Sequence, residues 1–97
     1  MKELEFEWDP RKSASNARKH GVTFEEARSA FYDENASVFD DPDHSQAENR
    51  FLLLGLSLKL RVLVVCHCLR ALDTKIRIIS ARRATTSEQS TYWSERQ

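Results

Sequence analysis

Cysteine is nearly absent from this 97-residue chain, which has only Cys66 and Cys68, two positions apart. On a strand such a pair shares a face at roughly 6.5–7 Å, the outer limit for a disulfide, and strand geometry disfavours the bond. Cys66-His67-Cys68 has no spacing for a tetrahedral zinc site, so the two read as buried free thiols. Long apolar runs are missing too. The longest stretches without a formal charge, Phe51 to Leu58 and Val62 to Leu69, fall far short of the roughly 20 residues a membrane helix needs. The opening Met1-Lys2-Glu3 carries acid where a secretory leader carries only base, so no membrane and a cytoplasmic location are expected. Repeats and low-complexity tracts are lacking as well. The expectation is one small domain over residues 1–97.

Net charge is also missing, but by cancellation. Up to Arg50 there are 7 Lys+Arg and 12 Asp+Glu, a balance of −5; from Phe51 onward there are 8 and 3, a balance of +5. Such asymmetry points to a polyanion site on the basic half.

What is present outlines an α+β domain. Residues 4–8, Leu-Glu-Phe-Glu-Trp, alternate with the period of a half-buried strand, with Trp8 in the core. Asp9-Pro10 opens a helix that runs to about His20 and stops at Gly21. Thr23-Phe24-Glu25-Glu26 is a capping-box pattern that starts a second helix. Ala36 to Asp40 suits a short edge strand, and Asp40 to Glu48 an acidic loop. Strands follow at about 50–57, 60–69 and 74–81. Thr85-Thr86-Ser87-Glu88 then caps a C-terminal helix carrying Tyr92 and Trp93. Paired helices followed by meandering strands predict an antiparallel sheet packed with two N-terminal helices and a C-terminal one.

Register arithmetic converts this outline into a site. A two-residue Leu58-Lys59 loop, although it lacks the glycine or Asn-Gly usual in such turns, sets Arg50 opposite His67. Pairing Cys68 with Thr74 sets His67 opposite Lys75 and Val65 opposite Arg77. Cross-strand partners share a face. One face then carries Arg50, Arg61, His67, Lys75 and Arg77 beside Leu52, Leu54, Leu63 and Val65. The other face, with Phe51, Leu53, Val62, Val64, Cys66, Ile76 and Ile78, is the expected core. Arginine forks match phosphate oxygens, and His67 is suited to proton transfer near neutral pH. Strict alternation from Arg77 puts Arg82 on the opposite face. Lys19 and His20, in the last turn of the first helix, are also placed to stabilise its dipole. Asp41, Asp43 and His44 match no metal-binding spacing, so neither metal nor cofactor is expected.

Phe6-Glu7-Trp8-Asp9, Lys12 with Asn16, Lys19-His20-Gly21-Val22, and Phe24-Glu25-Glu26-Ala27 resemble the BrnT toxin family of bacterial type II toxin–antitoxin systems. The likeness continues through Asp41-Pro42-Asp43-His44-Ser45, Glu48, Arg50 and Gly55. It ends with Ile76-Arg77-Ile78-Ile79-Ser80-Ala81-Arg82, Ala84-Thr85, Glu88 and Tyr92. The resemblance implies a RelE-like fold and a ribonuclease that blocks translation. It also implies neutralisation by a BrnA-like antitoxin with a ribbon-helix-helix DNA-binding part, in a heterotetramer that meets operator DNA only through the antitoxin. RNA cleavage is expected through the 2′-hydroxyl without a metal. His67 is the first choice of proton carrier and His20 the second. Arg61, Arg77 and Arg82 are candidate phosphate stabilisers, and Arg50, Lys75, Lys12 and Lys19 candidate RNA contacts. A non-catalytic, antitoxin-binding corepressor module is the alternative.

Overall fold

A computed structural model of the chain describes residues 4–42 and 49–95. The order is β1 (Phe6–Glu7), α1 (Pro10–His20), α2 (Phe24–Ala30), β2 (Ser37–Asp40), β3 (Arg50–Leu56), β4 (Val62–Arg70), β5 (Lys75–Arg83) and α3 (Thr86–Ser94). Local chemistry sets the helix ends. The Asp9 side chain accepts from the Arg11 amide at 2.9 Å, and Gly21 closes α1 in the left-handed region, at φ 70°. Thr23 caps α2, its hydroxyl oxygen accepting from the Glu26 amide, but the reciprocal half of the expected capping box is replaced. The Glu26 carboxylate turns inward to accept from the Ser57 hydroxyl and the Arg61 guanidinium. The box at Thr85 and Glu88 is complete.

The five strands lie in the order β1-β5-β4-β3-β2. The sheet is mixed rather than wholly antiparallel, because β1 runs parallel to β5, Phe6 beside Ile76 and Glu7 beside Arg77. The expected edge strand is present as β2, antiparallel to β3.

The expected registers are both corrected. The first hairpin has a three-residue loop, Leu58 to Leu60: the Ser57 amide donates to the Arg61 carbonyl at 2.9 Å. Leu60 takes the left-handed conformation, φ 62°, which usually falls to glycine in such loops. One extra loop residue slides the pairing by one, so Arg50 faces Cys68 and Phe51 faces His67. Because side chains alternate with period two, that slip sends all of β4 to the other face. At the second hairpin Arg70 faces Lys75 and Cys68 faces Arg77. Ala71, Leu72 and Asp73 all have positive φ in its loop.

A bulge lies between the pairs His67–Ile78 and Cys66–Ser80, with Ile79 unpaired. The extra residue reverses the alternation of β5 beyond that point. Ile76 and Ile78 therefore share a face with Ala81, whereas Arg77 shares its face with Ser80 and Arg82.

The two faces bury different cores. Toward α1 and α2, Leu53, Leu63, Val65, Ile78 and Ala81 pack with Val22, Phe24, Ala27 and Ala30. Burying each large member fully is worth roughly 1.5–3 kcal/mol. Gly55 allows this close approach, since a Cβ there would lie 3.0 Å from the Ala30 carbonyl oxygen. On the opposite face, α3 lays Tyr92 over Leu54, Val62, Val64 and Ala84. Among the described residues no helix is long and apolar enough to cross a membrane.

Candidate active site

The α3-bearing face is only partly covered, and one of its openings is a cleft of about 80 Å³ lined by His20, Leu52, Val64, Cys66, Ser80, Ala81 and Arg82. Three local devices bring these residues together. The first is Asn16, buried in α1, which acts as a surrogate strand partner for β5. Its amide nitrogen donates to the carbonyls of Val22 and Ala81 at 2.9 and 2.8 Å, and its oxygen accepts from the Ala81 amide at 3.1 Å. β1 covers β5 only at Ile76 and Arg77. The clamp thus satisfies backbone groups that β1 leaves open and holds the end of α1, with His20, against the sheet.

The second device is the bulge at Ile79, which puts Arg82 on the cleft side. The third is α3, whose first turn supplies Glu88. Its carboxylate grips Arg82 through two bonds, Nη1 to Oε1 at 2.8 Å and Nη2 to Oε2 at 3.0 Å. The same carboxylate accepts from the Thr85 amide at 2.8 Å. The Arg82 fork, helped by the Thr85 bonds, holds the Glu88 carboxyl down at about 2. At the back of the cleft Cys66 donates to Asp41 Oδ2 at 3.6 Å. Burial first, and the Asp41 charge second, push its thiol up to about 11. Cys66 is therefore a neutral thiol at physiological pH, not a nucleophile.

The residues picked out from sequence divide sharply. His67 does not sit on the basic face. It is 4% exposed, on the α1/α2 side of β4, with Phe31 edge-on at 4.8 Å and Phe51 at 5.9 Å. Its Nδ1 lies 3.1 Å from the Val65 carbonyl oxygen; a carbonyl only accepts, so Nδ1 carries the hydrogen. Burial holds its basicity below that of an ordinary histidine. The displacement follows from the one-residue slip in the first hairpin.

Arg61 is also drawn away: its guanidinium closes on the buried Glu26 and on the Gly21 carbonyl, joining the hairpin to α2. Arg77 pairs with Glu7 across β1 and β5 at 2.9 Å. Arg50 faces Cys68, and its charge reaches Cys66, so it borders the cleft's floor. Lys75 stands opposite Arg70 at the far end of β5. Lys12 and Lys19 are exposed on α1. Cys66 and Cys68 are buried and not joined in a disulfide, as expected. Asp43 and His44 lie outside the described residues. Among the described residues no three His, Cys, Asp or Glu side chains converge as a metal-binding group would.

Sequence reasoning missed Asn16, Ser80 and the pairing of Glu88. A signal for Asn16 was available: Ser13, Asn16, Ala17 and His20 form one helical stripe that holds almost nothing apolar. A helix that packs on such a stripe must bond through its side chains.

The sequence pattern of the family described as "Ribonuclease toxin, BrnT, of type II toxin-antitoxin system" matches residues 8–88. The crystal structure of the Brucella abortus ribonuclease toxin BrnT is similar, with a TM-score of 0.66 and 23% identity. That alignment covers 87% of this chain and 100% of the other. Among curated proteins no sequence matches.

Proposed function

This chain belongs to the BrnT family of ribonuclease toxins of type II toxin–antitoxin systems, and from that premise we propose that it cleaves RNA at the cleft between α1 and β5. Membership implies an antitoxin partner. The observation that carries the catalytic assignment is the meeting of His20 and Arg82 at one cleft. Imidazole is the side chain best suited to move a proton near neutral pH, and a guanidinium matches two phosphate oxygens at once.

In the proposed reaction His20 takes the proton from the ribose 2′-hydroxyl. The 2′-oxygen attacks the adjacent phosphorus as the bond to the 5′-oxygen breaks, and that oxygen takes a proton from water. The products are a 2′,3′-cyclic phosphate and a 5′-hydroxyl end. Arg82 stabilises charge developing on the non-bridging oxygens, often the largest single catalytic effect. The reaction is proposed to need no metal: the carboxylates at the cleft, Asp41 and Glu88, are engaged by Cys66 and by Arg82 with the Thr85 amide, and the guanidinium repels cations. Arg50, Arg77 and Lys75, together with Lys12 and Lys19 on α1, are proposed to follow the rest of the RNA backbone. The domain is taken as RelE-like over residues 1–97, neutralised by a BrnA-like ribbon-helix-helix antitoxin in a heterotetramer.

The test is direct. Purified protein incubated with RNA in EDTA is expected to yield new 5′-hydroxyl and 2′,3′-cyclic ends. Cleavage that disappears with the chelator would sink the metal-free mechanism. RNA left intact under all conditions would favour the corepressor alternative.

A further inference from the structure

The hydrogen bonds of Arg82 carry an inference that rests on the proposed phosphate site and deepens it. A guanidinium has five N–H groups in fixed directions. Glu88 takes one hydrogen from Nη1 and one from Nη2, the pair that points off the end of the side chain. The second Nη1 hydrogen points at the carbonyl of Arg83, at 3.3 Å. Two donors remain, the Nε–H and the second Nη2–H, and among the described residues neither has a partner. These two lie parallel along one edge of the guanidinium, an arrangement that matches two oxygens of a phosphate. Arg82 side-chain exposure is 40% and the residue lines the cleft, so its side chain is not sealed off.

We propose that Glu88 is a positioning residue: by filling the end-on fork of Arg82 it locks the guanidinium so that the side-on fork is presented to the scissile phosphate. The lock is stiff because Glu88 is itself fixed twice, by its fork to Arg82 and by the Thr85 amide. Helix α3 thereby does two things. Through Tyr92 it covers the apolar part of the face, and through its first turn it aims the arginine.

Glu88→Gln separates this role from simple helix capping. A glutamine oxygen can still accept from the Thr85 amide, but its NH₂ opposes an Arg82 donor and breaks the fork. Thr85→Ala removes the other half of the cap, the bond from the Glu88 amide to Thr85 Oγ1, and leaves the fork alone. Both variants should lower the melting temperature. Only Glu88→Gln should lower kcat, by roughly ten- to a hundredfold, with KM unchanged or reduced because a negative charge near the RNA is gone. Equal kcat in the two variants would reduce Glu88 to a cap, and a rise in kcat for Glu88→Gln would mean that it restrains Arg82 instead.

A second readout is independent of cleavage. Inorganic phosphate should shift the Arg82 Nε–H signal in nitrogen-15 spectra of the full chain but not of Glu88→Gln; no difference between the two overturns the proposal. Arg82→Ala distinguishes the two levels. If it cleaves normally, the phosphate site itself is wrong. If it is inactive while Glu88→Gln is fully active, only the positioning role fails.

Discussion

The two faces of the sheet bury similar kinds of side chain and leave their polar groups in different states. On the α1/α2 face the buried polar side chains bond to the protein itself: His67 to Val65, Glu26 to Ser57 and Arg61, Asn16 to Ala81 and Val22. On the α3 face the apolar cluster is smaller, and next to it Arg82 is paired, yet two of its donors have no partner among the described residues. Closed hydrogen bonding holds a fold together, because a buried polar group left alone is expensive. Open hydrogen bonding is what a substrate requires. The same residue types, arginine and histidine, are therefore structural on one side and proposed as functional on the other.

The widest separation of the two faces should come from their histidines. His20→Ala is expected to lower the RNA cleavage rate by about 10²–10⁴-fold, while His67→Gln, assayed below its melting temperature, cleaves at the wild-type rate. The reverse result would return proton transfer to the core histidine and break the contrast.

A second comparison uses two leucines. Leu63, fully buried under α2, should lose stability near the top of the about 2–5 kcal/mol range on conversion to alanine. Leu54 on the α3 face, beside a cleft able to relax, should fall near the bottom. Urea denaturation of both variants measures the gap, and equal losses would mean that the two clusters are equally consolidated.

The arginines offer a third. Arg61→Ala strands a carboxylate whose side chain is only 2% exposed, so a loss of about 3 kcal/mol in stability is expected with little direct effect on cleavage. Arg82→Ala leaves Glu88 partly exposed and still bonded to Thr85, so stability should change by under about 1 kcal/mol. Cleavage should instead fall by about 10²–10³-fold. Denaturation and rate assays on the same two preparations read both effects.

The smallest effect is a pH dependence. Burial depresses the basicity of His67 in the folded chain, so between its folded and unfolded values the unfolded state binds more protons. Stability is then full above about pH 6.5 and falls as pH drops below it, by at most about 1.4 kcal/mol per unit. His67→Gln should flatten that slope in melting curves taken from pH 7 to 5. The Arg82–Glu88 pair begins to titrate at lower pH, from the ordinary carboxyl value down to about 2.

Elements and site were legible to different degrees. Asp9, Pro10, Gly21, Thr23 and Thr85 announce helix ends because a cap is settled by residues within one turn, and the structure starts and stops its helices there. The strands were placed within a residue or two, since alternation and turn residues are also local. The basic face was not legible: it rested on two hairpin registers, and each was off. Leu60 occupies a left-handed position that its side chain does not advertise, and nothing in Ile78-Ile79-Ser80 marks a bulge.

By itself, then, the sequence determined the family, the elements, the buried thiols and the concentration of basic residues in the second half. All of these depend on residue type or on neighbours close along the chain. Only the tertiary structure decided which side chains meet. One extra loop residue moved His67 into the core, and one bulged residue turned Arg82 toward the cleft. A single asparagine held His20 beside it. The physical reason is the period of a strand: at two residues per repeat, a shift of one position reverses every side chain beyond it.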